Sequence, residues 1–151
     1  MRPLAGAVAL MLAAGCAQPG PAGPTLPVKL TFKLNDYEDR GGLLPITGML
    51  ELVIEPNGEA SAVCRRTILS DVERSDPLTR EQLAELVARV EAWTSKGADV
   101  HPRGKNHGFL SYGEKKAGWE RDAALPDELQ ALVNFLLTIP PTLHVQQRRR
   151  G

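Results

Sequence analysis

The stretch 47-TGMLELVIEPNGEASAVCRRTIL-69 decides the fold of this chain. Apolar and polar residues alternate on both sides of its central Pro-Asn-Gly, which is the period of a β-strand with one buried face. We therefore predict strands over residues 47–55 and 59–69. Pro56 suits the second position of a type I turn and Gly58 can take a positive φ after it, so the pattern predicts a three-residue loop with a bulge.

The length of this loop sets which side chains share the buried face. A two-residue turn would bring Arg65 opposite Leu50 on the core side, because a shift of one residue exchanges the two faces of a strand. The three-residue loop avoids this, and it turns Cys64 inward beside small residues that let a helix approach the sheet. The residues expected on the buried face are Leu50, Leu52, Ile54, Ala60, Ala62 and Cys64.

A strand and a helix flank the hairpin. Residues 28–34 alternate with a period of two, which predicts a strand. After Pro77, Thr79 and Gln82 have the spacing of a capping box, which predicts the start of a helix. Its apolar residues recur at helical spacing and it should end at Lys96 and Gly97. That apolar face consists of Leu83, Leu86, Val87, Val90 and Trp93.

A second hairpin and a second helix complete the predicted fold. Strands are expected over residues 109–114 and 119–122, joined around residues 115–118. Pro126 should open a helix with an apolar stripe, and Pro140 should stop it. This order, β-β-β-α-β-β-α, predicts an α+β domain with an antiparallel sheet of four to five strands and two helices packed on one face. The predicted core contains Leu50, Leu52, Ile54, Leu86, Val90, Leu132 and Leu136.

This layout resembles that of the cystatin-like emfourin-type bacterial protease inhibitors over residues 47–139. The similar parts are the strand pair around residues 55–59, the helix over 79–93, the strands near Tyr112 and the final helix after Leu125 and Pro126. The resemblance implies a protease inhibitor. It lies in the order of elements and in apolar positions, so it transfers no functional residue.

The N-terminus carries a second resemblance. Arg2 precedes a short apolar run over residues 5–14, and the small residues 13–15 stand directly before Cys16. This is the arrangement of a secretory signal. A cysteine after the cleavage site resembles the lipobox of bacterial lipoproteins, which implies that Cys16 is lipidated and anchors the protein in a membrane. Since Ala17 is not Asp, the resemblance points to the periplasmic face of the outer membrane. The alternative is an ordinary signal followed by an unmodified cysteine.

The predicted organisation follows from these features. Residues 1–15 form the signal peptide. Residues 16–27 form a tether rich in proline and glycine, which extends by about 3.1 Å per residue. Residues 28–143 form one α+β domain, and residues 144–151 form a basic tail. The arginines at 148–150 are either a solvated end or a weak contact with anionic lipid or cell-wall polymer.

Composition and motifs argue against several classes of function. The 18 basic and 18 acidic residues balance, so no basic face for nucleic acid is expected. Neither a nucleophile elbow nor a phosphate-binding glycine loop is present, so we predict no enzyme and no cofactor. His101 and His107 have only Asp99 as a third possible ligand and positive charges between them, so no metal site is predicted.

The polar connection over residues 96–108 is the candidate contact site. Long loops in compact domains are often functional. We predict that it binds a partner, with the alternative of a surface loop that binds nothing. The predicted function is a non-enzymatic binding or accessory module of the cell envelope that contacts an envelope protein; the alternative is an emfourin-like inhibitor that contacts a protease. The candidate contact residues are His101, Arg103, Lys105, Asn106 and His107.

Overall fold

The structure, a computed structural model, describes residues 25–39, 46–96, 100 and 106–146. Within these residues it contains one antiparallel sheet of seven strands, two α-helices and a short 3₁₀ turn at Pro140–Thr142. The strands are β1 (Leu30–Asp39), β2 (Ile46–Ile54), β3 (Glu59–Arg65), β4 (Val72–Pro77), β5 (Gly108–Tyr112), β6 (Lys115–Trp119) and β7 (His144–Val145). The helices are α1 (Arg80–Lys96) and α2 (Asp127–Leu136). The strand order is β6-β5-β1-β2-β3-β4-β7.

The hairpin of β2 and β3 has the predicted register. Leu50 pairs with Cys64, and Ile54 pairs with Ala60. The loop contains three residues, with the N–H of Gly58 donating to the carbonyl of Glu55 at 2.9 Å and a φ of +92° at Gly58. Cys64 is buried, as predicted. The choice between the two loop lengths, made on which side chains would be buried, is confirmed.

The predicted number of strands is wrong. The sheet has seven strands instead of four to five, because β4 and β7 were not predicted. The predicted strand over residues 59–69 ends at Arg65, and the chain then reverses into β4. The sequence of β4, VERSDP, has no apolar alternation, and its one buried residue is Arg74. A backbone ladder requires no particular side chains, so a polar strand near a sheet edge gives little sequence signal.

The second predicted hairpin was shifted along the chain. Its turn lies at Gly113 and Glu114 instead of residues 115–118, and Tyr112 pairs with Lys115. Gly113 is the first residue of this two-residue turn. Its φ of +59° is one that glycine adopts without steric cost. Gly118 lies inside β6, where its lack of a side chain makes room for Asn106.

Both helices contribute to one hydrophobic core with the inner face of the sheet. The capping box of α1 is confirmed: the N–H of Gln82 donates to Thr79 Oγ1 at 3.1 Å, and the N–H of Thr79 donates to Gln82 Oε1 at 2.9 Å. The seven predicted core residues are all buried, none more than 2% exposed. Helix α2 begins after Pro126, as predicted, but ends at Leu136, before Pro140.

Residues outside the predicted limits of the domain also pack against it. Leu26 is only 3% exposed, and its N–H donates to the carbonyl of Pro56 at 3.2 Å. At the other end, His144 pairs with Ser75, and the N–H of Gln146 donates to the carbonyl of Glu73 at 2.7 Å. Residues 1–24 and 147–151, with the predicted signal, Cys16 and the arginine tail, lie outside the described residues.

Candidate functional site

An open cleft of about 570 Å³ lies at one end of the sheet. Five strands meet there: β1, β3 and β6 at their C-terminal ends, and β2 and β5 at their N-terminal ends. We call this the cleft end. The opposite end, which carries the loops at residues 56–58 and 113–114, is the turn end. The cleft is lined by Asn35, Asp36, Thr47, Gly48, Met49, Arg65, Thr67, Asn106, His107 and Arg121.

A β-bulge in β1 shapes the middle of the cleft. The register shifts between Leu34 and Tyr37, so that Asn35 and Asp36 together lie opposite Met49. Asp36 has a φ of +57°, a left-handed conformation that Asp tolerates better than most residues. Its carboxylate forms an ion pair with Arg121, from the chain just after β6. Bulges re-aim side chains, and this one joins the end of β1 to the segment that follows β6.

The C-terminal end of the predicted contact loop is built into the sheet. The N–H of His107 donates to the carbonyl of Trp119 at 2.7 Å. The carbonyl of His107 accepts from the N–H of Asn35 at 2.9 Å. The carbonyl of Asn106 accepts from Asn35 Nδ2 at 3.0 Å. Asn106 and His107 therefore line the cleft in positions set by backbone hydrogen bonds. The other three candidate residues, His101, Arg103 and Lys105, lie outside the described residues.

The charge in the cleft is unbalanced towards positive. The described residues that line it include two arginines, Arg65 and Arg121, and one carboxylate, that of Asp36, which is paired with Arg121. Within the ranges that the structure describes, Arg65 has no hydrogen-bond or ion-pair partner for its exposed side chain. Thr47 and Thr67 add hydroxyl groups that can donate or accept. This arrangement can bind an anionic or polar group.

A turn with two exposed aliphatic residues borders the cleft. It connects β3 to β4 over residues 66–71, and its Thr67 lines the cleft. Ile68 is 93% exposed and Leu69 is 60% exposed. The guanidinium of Arg66 donates to the carbonyl of Ser70 through both Nε, at 2.8 Å, and Nη2. These contacts close the turn across its base, between Arg66 and Ser70, and the two aliphatic side chains lie exposed within it.

Sequence reasoning missed this turn and Arg65 because it extended the third strand through both aliphatic residues. One signal could have shown the error. Adjacent residues of a strand point to opposite faces, so Ile68 and Leu69 could not both have faced the core.

A second cavity, of about 350 Å³, lies at the turn end, where residues 25–27 lie beside α1. It is lined in part by Val87, Glu91 and Tyr112. Burial, and to a lesser degree the charge of Glu91, raises the pKa of the Tyr112 hydroxyl above its ordinary value. Ordinary tyrosine is already neutral near pH 7. The upward shift does not change this, so Tyr112 is a neutral hydroxyl in the cavity.

Comparison with known proteins adds no assignment. No protein-family model matches the chain, and no curated protein matches its sequence. Among the described residues, no three His, Cys, Asp or Glu side chains are grouped as a metal ion would require. In the same part of the chain, no helix is both long enough and apolar enough to cross a membrane.

Proposed function

We propose that this chain is a lipoprotein of the cell envelope, anchored through lipid on Cys16 at the periplasmic face of the outer membrane. Its domain serves as a non-enzymatic binding or accessory module, and the cleft end contacts a protein partner. Acyl chains on Cys16 supply the membrane affinity, since more than one chain is needed for stable anchoring.

The observation that supports this proposal best is the opposite placement of the N-terminal segment and the cleft. Leu26 bonds to Pro56 at the turn end, so the chain from Cys16 reaches the domain there. Strand β1 then runs from Leu30 to the bulge at Asn35 beside the cleft. At about 3.3 Å per residue, the bulge lies roughly 15 Å from Leu30, at the end of the sheet opposite to the one that Leu26 contacts.

The cleft end also has the composition of a contact surface. Arginine is enriched in protein interfaces, and aliphatic side chains on a fixed turn can fill a pocket of a partner. Arg65 and Ile68 supply these two elements at neighbouring positions. The proline-rich tether gives the anchored domain a reach of roughly 30 Å from the membrane.

Photo-crosslinking in intact cells tests the proposal. A photoreactive amino acid is placed at Thr67, which is exposed at the cleft, and a matched one at Glu114, which is exposed at the turn end. We expect Thr67 to capture an envelope protein that Glu114 does not capture. Replacing Cys16 by Ser should abolish this capture, because the precursor then stays uncleaved and without lipid and does not reach the outer membrane.

Three results would contradict the proposal. Capture from Glu114 alone would place the contact at the turn end. Equal capture by the Cys16→Ser protein would mean that lipid on Cys16 is not required. Capture of a secreted protease whose activity falls on binding would support the emfourin-like inhibitor instead.

A further inference from the structure

We propose that the partner presents an acidic segment to the cleft end, with a carboxylate bound by Arg65 and a neighbouring aliphatic side chain packed on the turn of Ile68 and Leu69. This inference rests on the proposed function, since it names the chemistry of the partner at that same surface. It concerns a single protein segment that carries both groups.

The charges of the cleft favour an anion. Of its two arginines, Arg121 is paired with Asp36, whereas Arg65 has no partner in the described ranges. A guanidinium binds a carboxylate through two parallel hydrogen bonds, which gives direction as well as strength.

The aliphatic turn favours a partner with an apolar side chain beside its carboxylate. Ile68 and Leu69 are held by the bonds of Arg66 to Ser70, so the backbone of the turn is ordered before binding. Preorganised groups lose less conformational freedom on association. Since Thr67 lines the cleft and Ile68 follows it directly, one extended segment can reach both Arg65 and the turn.

A membrane surface is the main competing ligand, because arginines beside aliphatic residues also bind anionic lipid. The small number of basic residues argues against it. Attraction to an anionic bilayer takes a cluster of about 4–8 Lys and Arg residues, whereas the described lining of the cleft has two arginines, one of them paired with Asp36. A protein segment is therefore the better candidate.

The test uses the full chain in intact cells with the photoreactive residue at Thr67. Arg65→Glu should lower the yield of the protein adduct by about tenfold or more, because it sets like charges against each other. Arg65→Lys should keep part of the yield, and Ile68→Ser should lower it. The matched control is Lys116→Glu, an identical charge change at an exposed position of β6 outside the cleft.

Mass spectrometry of the adduct then identifies the captured segment. We expect an Asp or Glu next to an aliphatic residue, and replacing that acid by Lys in the partner should restore capture by the Arg65→Glu protein. Thermal unfolding of each variant, expected to match that of the parent, excludes misfolding as the cause.

The possible failures are distinguishable. Full capture of the same protein by Arg65→Glu would overturn the acidic-segment proposal and leave the proposed function standing. Adducts with lipid in place of protein would also overturn it. A partner captured only from Glu114 would instead refute the proposed contact surface itself.

Discussion

Replacing Gly108 by Ala should disturb the packing that supports the cleft. Gly108 is the first residue of β5, and a Cβ built there would lie 2.2 Å from Cε2 of Trp119 and 2.3 Å from its Cζ2 and Nε1. The indole of Trp119 is 7% exposed and stacks on Phe32, with ring centroids 6.4 Å apart. Because Phe32 is fully buried, the indole can make room only by displacing its neighbours or moving outward.

The size of the effect follows from two opposing contributions. Overpacking a close-packed site costs about 1–3 kcal/mol. Alanine also restricts the unfolded chain relative to glycine, which stabilises by about 0.4–1 kcal/mol where the native backbone accepts it. We therefore expect Gly108→Ala to lower the free energy of unfolding by about 1–2 kcal/mol.

Urea unfolding followed by circular dichroism measures this loss in a double-mutant cycle. Trp119→Leu removes the three ring atoms that the new methyl group would meet. In that background Gly108→Ala should cost almost nothing, so the coupling energy should be about 1 kcal/mol or more. An equal loss in both backgrounds would show that the ring is not the obstacle, and the steric explanation would be refuted.

The remaining predictions address the core, the capping box and the two cysteines. Leu86→Ala should lower the free energy of unfolding, measured in urea, by about 2–5 kcal/mol; a loss below about 0.5 kcal/mol would mean that α1 does not pack there. Thr79→Ala removes the acceptor for the N–H of Gln82 and should cost about 1 kcal/mol in the same assay. Cys64, being buried, should react with a thiol reagent only after unfolding; rapid reaction in the native state would contradict its placement. Cys16→Ser should abolish labelling with radioactive fatty acid, and persistent labelling would refute the lipid anchor.

Local patterns in the sequence were sufficient for the central hairpin and the start of α1. The register of β2 and β3 could be chosen because the wrong one would have placed Arg65 opposite Leu50, inside the core. The capping box between Thr79 and Gln82 could be found because both residues lie within one helical turn. The capping box joins two residues that are close in the sequence. The register depends on whether apolar or charged side chains would be buried, which the sequence also shows.

Strands β4 and β7 could not be predicted in this way. Strand β4 is polar and β7 has two exposed residues, so neither shows the alternation that marks a half-buried strand. Both are held by backbone pairing to a neighbour, and His144 is held further by its N–H bond to Asp76 Oδ2 at 2.6 Å. Backbone groups are the same in every residue, so this stabilisation leaves little trace in the sequence.

The sequence by itself determined the α+β class and the inward face of the central hairpin, and it directed attention to residues 96–108, of which Asn106 and His107 line the cleft. The tertiary structure alone decided the rest of the cleft. Asp36, Arg65 and Arg121 come from distant parts of the chain, and they meet because β6, β5, β1, β2 and β3 are neighbours in that order. Side-chain periodicity records which face of an element is buried, but not which elements become neighbours. That choice depends on packing and backbone pairing across the whole sheet.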